Sequence, residues 1–567
     1  MMKNNGGVKR LIFFVVISAI IILLSYNELF RTFYQQDEWI AVGYAMENGK
    51  ELLLKYPLLN ILAGTGRILG TSISIFFLTY FPFQIWPFSI FAILFHFINV
   101  LLVFFITRKV AKNFFIAVMT GFFFALSSVS DQAVIWAGAV TNVLPSSLLI
   151  FLSIFFYLNY VERQEKRWLI MSFSTAIIAY YFRESAIFLL IFLPFLYVLQ
   201  SKKSFNVKQI IRIFSLHFPL IIFLLSMFII RLIDLQSRFY SGHFVTNAAF
   251  VKEKILFHSL LYPITSLSQM FVHPVQMFSW ASLFEKIYYP YMTIMVPSPA
   301  VYEFVVPDMH SFFFSFLLLF IIFLLYQHRK QYRKTIVFMM SFIFLSFLPY
   351  AILDKSNAYL ESRYYYTSIM GAGVLFGILG DFLRSYLTKF PDLKKVATVL
   401  VFMIALLYFY NQFTWIKKDV QLQVVLGDER KNFLVSVKRL LPRLNEKTIL
   451  YFTGSQDFYT ADNKVPFQLG PGYILMTWYY DTGAIPSSFI REEFLSHLFA
   501  QGYKEDKGKG FGYYRDFEKL RQDTEKYHFY PTDIYSFYYV ASEKKLINIS
   551  ERIRADLNAS RSAEFIR

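Results

Sequence analysis

The sequence predicts an α-helical polytopic membrane protein of about eleven transmembrane helices, with a small α/β domain outside the membrane at its C-terminal end. Three observations carry this. The 567 residues are 56% hydrophobic and 20% aromatic, and the mean hydropathy is +0.45, more apolar than soluble domains are. Apolar stretches near 20 residues recur, the length that crosses a hydrocarbon core of roughly 30 Å. Lys and Arg alternate between crowded and nearly empty loops, as the positive-inside rule requires of a chain that crosses many times.

In order, the spans fall at 9–26, 88–107, 113–128, 140–160, 168–182, 185–200, 211–232, 311–327, 335–353, 364–380 and 396–412. The crowded loops are Lys3/Lys9/Arg10, Arg108/Lys109/Lys112, Arg163/Lys166/Arg167, Lys202/Lys203/Lys208/Arg212, Arg329/Lys330/Arg333/Lys334 and Arg384/Lys389/Lys394/Lys395. With eleven spans all of them fall on one side, the cytoplasmic one. The N-terminus is then inside a cell membrane and the C-terminal tail outside it. A net charge of +18 would by itself suit a nucleic-acid binder; its confinement to alternate loops assigns it to topology instead. The first span has basic flanks and no small-residue cleavage site after it, which reads as a retained signal anchor. The chain has no cysteine, which excludes disulfides, thiolate chemistry and cysteine metal sites.

The membrane module is expected over 1–412. Its first external loop, 27–87, opens on Tyr34-Gln-Gln-Asp-Glu-Trp39, continues as a helix to Leu54 and reaches Lys55-Tyr56-Pro57. The stretch from Leu58 to Phe83 is apolar but broken by Gly64, Gly66, Gly70 and Pro82, which suits a helix lying along the interface. Trp39, Tyr44, Tyr56 and Trp86 fit the interfacial aromatic belt. A second long external segment, 233–310, is too interrupted to span cleanly. From 413 to 567 the composition turns polar, with β-like runs at 448–452 and 536–540. These predict the soluble α/β domain. No inverted repeat of the transporter kind is visible.

The chemistry-bearing residues collect on the external face. Asp37 and Glu38 lie in the first external loop, Asp131 in the second, Arg183 and Glu184 at an otherwise uncharged hairpin, and Glu361 and Arg363 at the start of a late span. Charge at membrane depth is costly and usually faces a cavity or a partner. Carboxylates and arginines delivered to one face by four separate loops suit a cavity for an anionic lipid-linked substrate. Arg offers a phosphate permanent, bidentate contacts. An Asp or Glu offers an acceptor hydroxyl a general base. Each residue also has a plainer reading. Asp37-Glu38 suits a helix start, Arg183-Glu184 a structural ion pair, and Arg363 a snorkelling side chain. His96 and Asn99 suit interhelical hydrogen bonds, and Asp131 an ordinary loop acid. His243, His258, His273 and His310 are scattered without zinc-like spacing, so no metal site is predicted.

These residues, taken in order, resemble the GT-C superfamily of membrane glycosyltransferases, which includes protein O-mannosyltransferases and the bacterial enzymes that modify lipid A with aminoarabinose. The matching features spread over about the first 410 residues. They are Asp37-Glu38; Lys55-Tyr56-Pro57 with Pro87-Phe88 and His96-x-x-Asn99 after it; Ser130-Asp131 with Trp136; Arg183-Glu184 before an apolar run to Pro194; and Glu361-Ser-Arg363-Tyr-Tyr. The resemblance implies an inverting transferase that moves a sugar from a polyprenyl-phosphate donor to a protein, lipid or glycan acceptor. It implies Asp37 as the base, with Glu38 beside it. Arg183, Arg363 and Lys55 become donor-phosphate ligands, with Asp131, Glu184, Glu361 and His96 in support. Two positions depart from the pattern: Tyr56 stands where related chains often carry Arg, and Arg183 where they often carry Lys. No cofactor is expected, since a monophosphate needs less charge neutralisation than a pyrophosphate, although Asp37, Glu38 and Asp131 offer oxygen ligands to a divalent ion. A flippase for lipid-linked glycans and a polymerase or ligase using a pyrophosphate donor remain as alternatives.

Overall fold

The computed structural model describes residues 5–35, 38–51, 53, 67–200, 207–239, 248–273, 275–277, 279–280, 299–352, 360–387, 394–454, 471–491 and 501–564. Asp37 and Lys55 lie outside the described residues. The chain divides into two compact units. The first comprises Met1–Asn27, Tyr56–Thr71 and Phe88–Asp419, and the second Glu28–Lys55, Ser72–Pro87 and Val420–Arg567. The sequence places the division at 412/413, and the structure draws parts of the first external loop into the unit that contains the tail.

The first unit is helical. Eight helices among the described residues are long and apolar enough to cross a membrane, and each overlaps one of the sequence spans. The other three spans, at 113–128, 168–182 and 185–200, fall on shorter helices: Phe114–Ala125, Lys166–Phe182 and Leu189–Gln200. The first of these is sharply bounded. Asn113 caps its start, Oδ1 accepting from the N–H groups of Phe115 and Ile116 at 2.9 and 3.4 Å, and 12 residues rise only about 18 Å. Large apolar side chains point outward along several helices, among them Phe13, Phe313, Phe320, Phe402 and Leu407, each more than half exposed. Exposed apolar surface on this scale marks a lipid-facing wall.

The last long helix, Lys394–Leu440, is 47 residues, far longer than the span expected at 396–412. Nothing in Phe413–Leu440 breaks a helix except Gly427, so the helix runs on past the apolar stretch. This places Trp415 and Asp419 on the same rod as the span, and not in the tail domain where the sequence boundary puts them.

The second unit holds the predicted α/β domain. Five strands, β1 (Lys447–Gly454), β2 (Gly502–Asp506), β3 (Lys509–Tyr514), β4 (Ile534–Val540) and β5 (Lys545–Asn548), form one sheet in the order β2-β3-β1-β4-β5. Central β1 pairs in parallel with β3 and β4, and each outer pair is an antiparallel hairpin. The β2–β3 turn is Lys507-Gly508, both with positive φ (51° and 79°), the backbone that a two-residue hairpin needs. Helices Phe517–Tyr527 and Ser550–Glu564 cover one face, with Leu520, Ile553 and Leu557 packing on Ile449 and Ile534.

In the same unit, helix Glu38–Asn48 is held tightly. A Cβ on Gly43 would lie 2.7 Å from Tyr473 Oη and 2.8 Å from Ile490, closer than packed atoms approach. Trp39 is fully buried among Phe33, Tyr34 and Phe83, with ring centroids 5.7 to 6.0 Å away. This corrects the interfacial role predicted for Trp39. Phe33 and Tyr34 just before it in sequence, and Phe83 from a distant segment, turn a belt residue into core. Trp86, by contrast, is 41% exposed.

Candidate functional site

In the first unit three arginines gather around a set of aromatic rings. Helix Lys166–Phe182 ends at Arg183, whose extended backbone is followed by a tight turn over Glu184–Phe188. The Arg183 guanidinium lies over the rings of Tyr364 and Tyr350, 5.1 and 5.6 Å from their centroids. It donates from Nη1 to the carbonyl of Arg363 at 3.3 Å. Arg363 lies 4.3 Å over Trp136 and 5.2 Å over Tyr364, and is ion-paired with Glu361. Its backbone N–H donates to Gln132 Oε1 at 3.3 Å. Arg67, a residue the sequence reading passed over, ion-pairs with Glu184 at 3.3 Å. Gly70, one turn further on, packs so closely that any Cβ there would collide with Asn142.

Two of these arginines have a carboxylate and the third does not. Arg183 is 6% exposed, and no carboxylate pairs with it among the described residues. Burial lowers its affinity for its proton, and the neighbouring cations Arg67 and Arg363 act the same way. A guanidinium nevertheless stays charged at neutral pH. Ring faces partly compensate a buried cation, but a buried charge calls for a counter-ion. Among the described residues, the three arginines and two glutamates of the cluster sum to one positive charge.

The other predicted residues divide. His96 is buried, and Nδ1 lies 2.8 Å from Tyr366 Oη while Nε2 lies 3.2 Å from the Ala125 carbonyl. The carbonyl only accepts, so Nε2 carries the proton and Nδ1 accepts from the tyrosine. Asn99 donates to the same tyrosine at 3.2 Å. Both ring nitrogens are therefore committed to holding helices together. Glu38 is buried in the second unit, within electrostatic reach of buried Arg430, and its charge, with burial, pushes the Tyr34 hydroxyl far above its usual range. Removing one partner of a buried pair strands the other charge. Arg430→Leu is accordingly expected to lose about 3–5 kcal/mol of stability. The double variant Glu38→Leu/Arg430→Leu is expected to regain most of it. Denaturation in detergent checks this, and equal losses in the single and double variants would show that the two charges are uncoupled.

Asp131 is 4% exposed and is not a free loop acid. Burial, with the Asp419 carboxylate beside it, pushes its carboxyl well above the usual range. One ligand atom each of Asp131, Asp419 and His273 lie within 4.8 Å of one another. His273 Nε2 is 2.8 Å from Asp419 Oδ2. The histidines that looked scattered in sequence thus include one that meets two acids in space. A cleft of about 580 Å³ lined by Arg108, Lys109, Lys112, Phe105, Phe114 and Glu162 belongs to the loops assigned to the cytoplasm. Its single acid, Glu162, is paired with Lys109 at 2.6 Å.

These features define a multi-pass membrane protein with a soluble α/β unit and an arginine cluster suited to an anion. No family model matches the chain, and no curated protein matches it. Among solved structures it is similar to ArnT from Cupriavidus metallidurans, crystallised bound to undecaprenyl phosphate. The identity is 10%, the match covers 83% of this chain and 85% of that one, and the TM-score is 0.40. Likeness at this level does not assign a reaction.

Proposed function

We propose that the protein is an inverting membrane glycosyltransferase of the GT-C kind, moving a sugar from a polyprenyl-phosphate donor to an acceptor on the extracytoplasmic face. The observation that supports this best is Arg183, a buried guanidinium that no carboxylate pairs with among the described residues, beside two arginines that each have one. Its unmatched charge suits a phosphate monoester, and the surrounding Tyr350, Tyr364 and Trp136 suit the apolar and sugar portions of a lipid-linked donor. Arg363 contributes a second guanidinium, and Lys55 a further cation by its place in the first loop.

In the transfer, the acceptor hydroxyl oxygen attacks the anomeric carbon from the face opposite the phosphate. The carbon–oxygen bond to phosphate breaks as the new glycosidic bond forms. The configuration inverts, and polyprenyl monophosphate leaves with both bonding electrons. Asp37 takes the hydroxyl proton. A single displacement needs one base, and the arginines stabilise the charge that grows on the leaving phosphate. The step as written needs no metal. Glu38, balanced by Arg430, acts in this reading as a positioning neighbour of Asp37.

The test is turnover of radiolabelled polyprenyl-phosphate sugars by the purified protein in nanodiscs, with polyprenyl-pyrophosphate glycans in parallel. Release of polyprenyl monophosphate with an inverted product supports the proposal. Consumption of the pyrophosphate donors alone would replace it with the polymerase or ligase reading. Movement of intact labelled lipid across the bilayer, with no sugar released, would replace it with the flippase reading.

A further inference from the structure

Three chain segments meet at Asp131, His273 and Asp419. Helix Lys394–Leu440 supplies a polar stripe at helical spacing, Gln412, Trp415 and Asp419, which puts all three on one face. Gln412 is buried and acts as a bracket. Its Oε1 accepts from Ser128 N–H at 3.1 Å and from Ser128 Oγ at 2.6 Å, and its Nε2 donates to the Phe271 carbonyl at 3.2 Å. Tyr408 Oη donates to the same carbonyl at 2.9 Å. Ser128 leads into Asp131, and Phe271 into His273. One turn along the helix, Trp415 stacks flat on the His273 ring, centroids 4.3 Å apart and planes 7° apart. Gln412 and Trp415 thus fix where Asp131 and His273 face Asp419.

Charge at this meeting point is not balanced. Two carboxylates lie together, one of them almost wholly buried, and neither is ion-paired with Lys or Arg among the described residues. Asp131 Oδ2 is buried and has no hydrogen-bond partner. Tyr26, also buried, lies within electrostatic reach of both acids and contributes no positive charge. Buried carboxylates are ordinarily paired or coordinated to a metal, and among the described residues the only charge-bearing partner of the two acids is His273, 2.8 Å from Asp419.

We propose that Asp131, His273 and Asp419 bind one divalent transition-metal ion of the zinc class. One imidazole nitrogen and two carboxylates are a borderline donor set, suited to zinc and poorly suited to calcium or magnesium, which take oxygen ligands. Three protein ligands leave one coordination position for water or substrate. Without metal, the Val275 N–H donates to His273 Nδ1 at 3.2 Å, so Nε2 holds the ring proton and donates it to Asp419. Metal at Nε2 displaces that proton. The bound ring then carries its proton on Nδ1 and gives up the Val275 contact, exchanging one long hydrogen bond for a metal–nitrogen bond. The ion would tie the loop that carries Gln132 and Trp136, both in contact with Arg363, to the middle of helix Lys394–Leu440. This site stands whether or not the chain is a transferase, because its primary readout is metal content.

Full-length protein is stripped with chelator, dialysed against equimolar zinc, manganese and calcium, and analysed by inductively coupled plasma mass spectrometry. One zinc per chain is expected, with at least tenfold weaker binding in His273→Gln and in Asp131→Asn, each checked for monodispersity by size exclusion. Zinc is also expected to raise the melting temperature of the wild type and not of His273→Gln. If either variant does not fold, X-ray absorption at the zinc edge of the wild type decides, with one nitrogen and two carboxylate ligands expected. No ion at one per chain, equal occupancy in the variants, preference for calcium, or a different ligand shell would each overturn the proposal.

Discussion

Arg183→Ala is expected to lower kcat/KM for a polyprenyl-phosphate donor by about 100- to 1,000-fold, the usual loss when one preorganised group facing developing charge is removed. Arg183 touches Tyr350, Tyr364 and the Arg363 carbonyl and, among the described residues, engages no acid. Deleting its charge therefore strands no carboxylate inside the protein, and the fold is expected to survive. The same argument separates it from Arg363 and Arg67, whose removal breaks an ion pair to Glu361 or Glu184 and mixes stability with function. Arg183→Lys keeps the charge but loses the planar guanidinium that lies on the two rings and grips a phosphate in bidentate fashion. It is expected to fall between wild type and alanine. Donor titration and single-turnover kinetics in nanodiscs check both. An alanine variant with unchanged donor affinity and turnover would remove the anion site from the mechanism.

The second large effect falls on Asp37. Asp37→Asn keeps size and polarity and removes the basic oxygen, and is expected to slow transfer by roughly 10²–10⁴-fold, the range for loss of a general base. Donor binding is expected to be retained, since the arginines supply it, so the loss appears in kcat more than in KM. This split distinguishes a base from a phosphate ligand: Arg183→Ala is expected to weaken donor binding, and Asp37→Asn is not. Equal donor consumption by wild type and Asp37→Asn would place the base elsewhere, with Glu38 and Asp131 next. Glu38→Gln tests the neighbour, and its expected effect is on stability through Arg430.

The spans were legible because a hydrocarbon core imposes length and apolarity on each helix separately, a constraint written locally in the chain. Each sequence span overlaps a helix, and eight of these helices are long and apolar enough to cross a membrane. The Lys/Arg alternation is local in the same sense. The external charges Arg183, Glu184, Glu361 and Arg363 were also legible, because a charge between apolar spans stands out wherever it sits. The five-stranded sheet was legible as an α/β domain from short alternating runs, but its strand order was not, because parallel pairing of β1 with both β3 and β4 joins segments some 60 to 90 residues apart.

Pairing was decided by the tertiary structure alone. Sequence placed Arg183 and Glu184 side by side and suggested that they pair; in space Glu184 goes to Arg67, and Arg183 lies over Tyr350 and Tyr364. Glu38 lies within electrostatic reach of Arg430, which arrives from a helix nearly 400 residues later. His273 looked isolated because its partners sit about 140 residues away on either side of it. Asp419 was missed for a simpler reason. The apolar pattern ends near 412, and hydropathy reports where lipid contact ends rather than where helical hydrogen bonding ends. The stripe Gln412, Trp415 and Asp419 was a readable signal once the helix was known to continue. Composition and periodicity predict which face of the membrane each charge occupies, because that depends on the chain near it. Which charge neutralises which depends on distances between segments that no local pattern encodes, and only the packed helices set those.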